Sequence, residues 1–535
     1  MSAYPTCPPH VLFSPPRRGL VRYTPTEGFE ALSPLADAQA PLQRVNRLPG
    51  LPIAGNDIPD DIWRLIATHI AENMKIKYML PLMAVNRTFF EFILDLKYHE
   101  VRWDSVVEDR NIEKILRRLQ HPIVSRRVRK LSVRVDVLEG LLGAQSTLKK
   151  RFSTARAFGR SNLFQQDILR LFMTAVNGMT GLIRLHVDMR YPPNNKNTFI
   201  FLKLIRTAFS NNLRSLVLRA QLSTFKLLLP IGDFKHLDEL DFNFDYTLAE
   251  DCPGADEGPK EDPSAGALME TVVPFISSRR SALRSLTITS SASVDLSGFF
   301  NGLLNFAVLR RLKLNISLSE FHLSDPSSLV RFLHKNSSSL LHVAIAINPE
   351  TPRQDWVRVQ DLLCLMPDCL SDLETLEMPC LSLAKTLPLV GRSCKTLTRL
   401  HLSGDYLHKA EATQLIEILR PHPLGHLSFE VQVVDHALLK LLAKGMPGLC
   451  SLALVYEEDI DPMQLIPYDL LPTTRKTLAE WKLRNIDLRQ VKRTSPHGWL
   501  SPFSYCSEDR AMKHISAQVP SIRTWKGVPK EWCDN

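Results

Sequence analysis

Cysteine is sparse and without pattern in this chain of 535 residues. The nine cysteines are odd in number, and none forms a C-x-x-C pair. Cys364 and Cys369 have no second pair of ligands nearby. That argues against a disulfide framework and a cysteine-held zinc site, and for free thiols in a reducing compartment. Glycine is scarce too, at 22 residues, and neither G-x-x-x-x-G-K-[ST] nor G-x-G-x-x-G occurs, so the usual phosphate-cradling loops are missing. H-E-x-x-H and G-x-S-x-G are likewise absent, and the 16 histidines are dispersed. His422 and His426 have an i, i+4 spacing, but Pro423 and Gly425 between them oppose a helix. No nucleophile–base constellation can be assembled, so the chain is expected to have no catalytic residues, metal ligands or cofactor. Long apolar runs are also lacking: none approaches the roughly 18 residues a membrane span needs. The opening residues MSAYPTCPPHVLFSPPRRG hold no apolar signal core. A soluble chain of the cytoplasm or nucleus is expected.

What is present is ordinary for a chain that buries a core, with 44% apolar and 23% charged residues. The net charge of +10 has a local origin. Between Arg110 and Arg160 stand fourteen Lys or Arg against three Asp or Glu, so the rest of the chain is nearly neutral. Few aromatics lie among these charges, which favours a solvated, partner-facing patch over a nucleic-acid footprint. Lys149–Arg151 also fits the short basic pattern of a nuclear import signal.

Residues 1–50 hold nine of the 36 prolines and little periodicity, and read as a disordered lead. The stretch DYTLAEDCPGADEGPKEDPSAG, residues 245–266, is acidic and rich in Pro and Gly, and reads as a mobile loop. Residues 51–105 read as a small helical domain. In DIPDDIWRLIATHI, Pro59 suits a helix start, and Asp60 and Asp61 complement the positive end of the helix dipole. Ile62, Leu65, Ile66 and Ile70 then form an apolar stripe. LPLMAVNRTFFEFIL gives a second apolar pattern, and Trp103 closes the segment. About fifty residues can barely cover such a core, and the excess apolar surface invites a partner.

These residues carry a resemblance. I-P-D-D-I-W-x-x-I, a connector, L-P-L-M-A-V-N-R-x-F and a downstream tryptophan resemble the F-box family. Ile58, Pro59, Ile62 and Ile66 match its first helix, Leu82, Val85, Arg87 and Phe89 its second block, and Trp103 its last position. Ile58, Asp61 and Asn86 stand where that family usually has Leu, Glu and Ser or Cys. The resemblance implies docking on a Skp-type adaptor and, through it, a cullin–RING ubiquitin ligase, with the substrate chosen by whatever follows. Ile58, Pro59, Ile62, Ile66, Leu82 and Val85 are the expected adaptor contacts, while Leu65 and Phe89 are assigned to the domain's own core.

Downstream the phrase L-x-x-L-x-L recurs, at Leu213, Leu237, Leu283, Leu309, Leu373, Leu397, Leu424 and Leu449. Weaker copies begin at Val128, Leu182, Leu340 and Leu478, the last as LAEWKL. Spacings of 24, 24, 27 and 25 fit the period of leucine-rich repeats. The gap of 46 from Leu237 to Leu283 implies an inserted loop or a missed repeat. An alternating strand and an amphipathic helix per repeat predict an α/β fold: a helical F-box, then an irregular horseshoe-like solenoid over 106–535 with parallel strands on its concave side. The segment VPSIRTWKGVPKEWCDN, with Trp525 and Trp532, is expected to cap it.

Residues between the leucines should face the open side of the sheet. Glu239 and Asp241 make an acidic rung, Arg311 and Lys313 a basic one, and Arg399 and His401 another. Changing chemistry from rung to rung suits a surface that reads a protein substrate. The expected function is therefore a substrate receptor of a ubiquitin ligase, not an enzyme in itself. The alternative is a leucine-rich scaffold outside any ligase, with the helical start serving as a cap.

Overall fold

The computed structural model describes residues 58–103, 109–142, 165–189, 196–209, 212–229, 234–244, 266–290, 294–347, 353–366, 368–393, 395–457, 472–491, 513, 515–526 and 528–529. The proline-rich lead, the acidic stretch 245–265, Lys149–Arg151 and Trp532 lie outside these residues. Two compact units divide the chain, residues 1–63 and residues 64–535. The first is described only over its last six residues, which open helix α1 (Asp60–Asn73).

In the second unit the leucine phrases become strands. β1 (Glu100–Trp103), β2 (Lys130–Arg134), β3 (Arg184–Met189), β4 (Ser215–Ala220) and β5 (Glu239–Phe244) come first. β6 (Ser285–Ser290), β7 (Arg311–Ile316), β8 (His342–Ile347), β9 (Thr375–Cys380) and β10 (Arg399–Gly404) follow. β11 (His426–Val431), β12 (Ser451–Tyr456), β13 (Asn485–Gln490), β14 (Thr524–Trp525) and β15 (Val528–Pro529) complete a single sheet. Strand order follows chain order, and β1 to β14 are all parallel. Helices such as Gln165–Gly178, Lys196–Phe209, Arg353–Leu365, Leu383–Ser393 and Lys409–Leu419 fill the crossovers. This open α/β sheet has the topology that stacked strand–helix repeats require.

The leucine period explains the layer. In β5, β6, β11 and β12 every second residue is buried and its neighbours are half-buried, so only one face of the sheet is covered. A parallel sheet covered by helices on both faces would show continuous burial instead. The buried face holds the core, and aromatic edges run through it. Trp103 meets Phe172 at 4.8 Å, Phe172 meets Phe201 at 5.3 Å, and Phe225 meets Phe242 at 5.4 Å. Phe244, Phe299, Phe300 and Phe332 continue the series.

One open alternative is settled and three sequence readings change. The 46-residue gap holds no missed repeat, because β5 pairs directly with β6 in register, Leu240 beside Leu286. The sheet begins before residue 106: Glu100–Trp103 is strand β1, paired with β2, and Trp103 lies in the sheet core rather than closing a separate helical domain. The last full repeat reads LRNIDL from Leu483, because Ile486 and Leu488 stand beside Leu452 and Leu454. LAEWKL instead spans the end of the helix Pro472–Ala479 and a turn, where the buried Trp481 indole donates to the Met446 carbonyl at 3.1 Å. The segment 519–529 does close the sheet, since β15 pairs antiparallel with the two-residue β14. Short, hairpin-covered edges of this kind resist edge-to-edge pairing.

Candidate functional site

Two surfaces deserve description from the residues upward: the opening helices and the open face of the sheet. Pro59 lends its carbonyl to the Ile62 and Trp63 amides and so starts α1. In the first unit Ile58 is half-buried, Pro59 is exposed, and Ile62 is 45% exposed. In the second unit Leu65 is 65% and Ile66 38% exposed, whereas Ala67 is fully buried. The assignment of Leu65 to the core is therefore wrong. The buried position of α1 is Ala67, with Ile70 half-buried one turn on, and the apolar stripe faces outward. Helix α2 (Ile76–Met79) and a 3-10 turn at Leu80–Ala84 follow, leaving Leu82 half-buried and Val85 54% exposed.

Helix α3 (Arg87–Tyr98) starts at Asn86, whose side chain accepts the Phe89 amide at 2.8 Å. Asparagine is among the side chains that cap a helix start best. Phe89, Ile93 and Leu94 are buried, as the helical spacing implies for Phe89. Among the basic cluster, Arg127 is not solvated. Its side chain, 5% exposed, bonds Glu91 and Asp95 of α3 and the Ile123 carbonyl at 2.9 Å. The Arg127 hydrogen bond is the main reason the Glu91 carboxyl lies below the usual range. This ties α3 to the turn before β2.

On the open face, in-register pairing stacks like positions into columns. Glu239, Ser285 and Arg311 are successive in one column, and Asp241, Thr287 and Lys313 in the next. Glu239 and Arg311 meet across β6 at 2.7 Å, so the acidic and basic rungs partly neutralise each other. Burial raises the Asp241 carboxyl, against the fields of Arg184, His186 and Lys313. Arg399 and His401 are exposed on β10, three strands beyond β7. At about 4.8 Å per strand that is roughly 14 Å away, so they form a separate patch. Glu430 on β11 adds a carboxyl raised by burial.

Sequence reading overlooked the residue that leads each strand. The carbonyl of Arg129 receives the amides of Ile183 and Arg184, and that of Ile183 receives those of Arg214 and Ser215. Arg214, Asp238, Arg284 and Arg310 continue the same ladder. The signal was in the phrase itself, which reads L-R-x-L at Leu213, Leu283 and Leu309. Among the described residues no helix is long and apolar enough to cross a membrane. No protein-family model matches the chain, and no curated protein matches it.

Proposed function

We propose that the chain is the substrate-recognition subunit of an SCF-type cullin–RING ubiquitin ligase. Its opening helices dock a Skp-type adaptor, and its leucine-rich sheet binds a protein substrate on the open face. The observation that carries the reading is the outward-facing apolar stripe of α1. In the second unit Leu65 and Ile66 are exposed on a helix whose motif resembles an F-box, Ile62 is exposed in the first, and exposed apolar residues of this kind mark partner sites. Ile58, Pro59, Leu82 and Val85 are the further adaptor contacts. Glu239, Asp241, Arg311, Lys313, Arg399 and His401 supply polar contacts to the substrate, which remains defined only as a protein.

The test uses the full chain and a purified Skp-type adaptor, with binding followed by calorimetry. Ile62→Asp and Leu65→Asp should each abolish binding while the far-UV circular dichroism and melting curve stay unchanged. A carboxylate forced into an apolar groove without a partner is costly, whereas in the free chain it faces water. Wild-type chain that fails to bind the adaptor sinks the ligase reading and leaves the scaffold reading, in which the sheet alone carries function.

A further inference from the structure

The row of strand-leading residues has a chemistry of its own. Arg129, Arg214, Arg284 and Arg310 are all exposed and lie at the rim where the strands begin. Backbone pairing fixes their order as Arg129, Ile183, Arg214, Asp238, Arg284, Arg310 across β2 to β7. Arginines therefore lead every second strand from β2 to β6, and a fourth, Arg310, follows directly on β7. Arg214, Arg284 and Arg310 form no ion pair among the described residues. The Arg129 guanidinium donates to the Gly181 carbonyl at 2.9 Å, which holds it at the rim. A Cβ at Gly181 would come within 2.6 Å of that guanidinium and of the Arg126 carbonyl, so the close approach needs glycine there.

Spacing decides what such a row can read. Strands stand about 4.8 Å apart, so alternate arginines repeat at roughly 9.6 Å. A polyproline-type chain turns once in three residues and about 9.3 Å, bringing every third side chain to the same side. We infer that this rim binds an extended acidic segment of a partner protein, with carboxylates at every third residue facing Arg129, Arg214 and Arg284. The inference rests on the reading of the sheet as a partner-binding surface. Arg–carboxylate pairing is forked and directional, which suits discrete carboxylates at matched spacing. A nucleic acid fits less well. Its charges are far denser, Asp238 and Glu239 interrupt the row, and no Phe, Tyr or Trp stands on the open face of β2 to β7 for stacking.

Asp238 lies between Arg214 and Arg284 and competes with an incoming carboxylate. That gives the experiment a variant with gain as well as one with loss. The full chain is titrated, by fluorescence anisotropy at low salt, into a labelled peptide of about 15 residues with Glu at every third position among Pro and Ser. A peptide of equal composition with its glutamates contiguous and a single-stranded oligonucleotide are the controls. The spaced peptide should bind best, weaken by about tenfold or more with Arg214→Glu/Arg284→Glu, and tighten with Asp238→Asn. Equal binding of the two peptides, preference for the oligonucleotide, or affinity unchanged by the variants overturns the proposal. Where the double variant fails to melt like the parent, Asp238→Asn alone decides. Adaptor binding on the same preparations should be unaffected by the rim variants, so loss of the ligase reading and loss of the rim site are separate results.

Discussion

Arg127 shows how far a single residue's role can depart from its sequence context. It lies in a run of Arg and Lys that reads as solvated, yet its guanidinium is buried and bonded to Glu91 and Asp95. Arg127→Met keeps the volume but leaves two carboxylates without their partner. The expected loss is about 2–3 kcal/mol, below that for a fully buried pair because both acids are partly exposed. A fall in the urea midpoint checks it. Glu91 also gives the pH sign. Its pKa is lowered in the folded state, so its contribution is complete above the ordinary glutamate value of about 4.3 and fades as pH falls through the lower folded value. The variant should therefore lose stability less steeply on acidification than the parent. The thiols make a second residue-scale prediction. Burial pushes Cys369 up to about 12 and Cys380 up to about 11, so neither offers thiolate at neutral pH. Both should resist iodoacetamide at pH 8 until denaturant is added, as mass spectrometry of the alkylated peptides would show.

At the scale of elements, polar side chains join neighbouring repeats where the leucines cannot. Asn336 ends the helix Pro326–Lys335, fully buried. Its side-chain oxygen accepts the Phe306 amide at 2.8 Å, and its amide donates to the Phe332 carbonyl at 2.8 Å. Asn336→Ala strands a buried amide, and a cost of about 1–3 kcal/mol is expected in chemical denaturation. Asn336→Leu should do no better, since bulk does not replace the acceptor. Arg392 closes another helix, donating to the carbonyls of Leu363 at 3.1 Å and Cys364 at 2.6 Å in the helix Arg353–Leu365. The joining falls to different residues in different repeats, which is why the sequence shows the leucines clearly and the polar links hardly at all.

For the second unit, the decisive feature is that helix α3 leads directly into the sheet, with only His99 between it and β1. The Arg129 and Lys130 amides both bond the His99 carbonyl at 2.9 Å, and Trp103 packs on Phe172 and Phe201. A fragment of residues 51–105 cuts all of these contacts. It should show no cooperative thermal transition by circular dichroism, whereas a fragment extended to residue 229 should melt cooperatively. An independent, sharp transition in the short fragment would refute the coupling. Nearest-neighbour stabilisation of this kind also means that a change in α1 leaves the distant strands intact.

The sequence by itself determined the repeat, its period and the alternation of strand and helix. Those follow from the two-residue period of a strand and the 3.6-residue period of a helix, which any chain must express locally. It also marked Phe89 as buried and the residues between the leucines as facing the open side. Tertiary structure decided the rest. Whether Ala67 or Leu65 is covered depends on what lies against α1. Whether Arg127 is solvated depends on acids more than thirty residues upstream. LRNIDL displaces LAEWKL because only the former aligns with Leu452 and Leu454 while Trp481 is buried in the turn. The arginine rim exists because parallel pairing brings one residue from each repeat to the same edge. Periodicity records the local backbone; faces, partners and rows are set by neighbours remote in the chain.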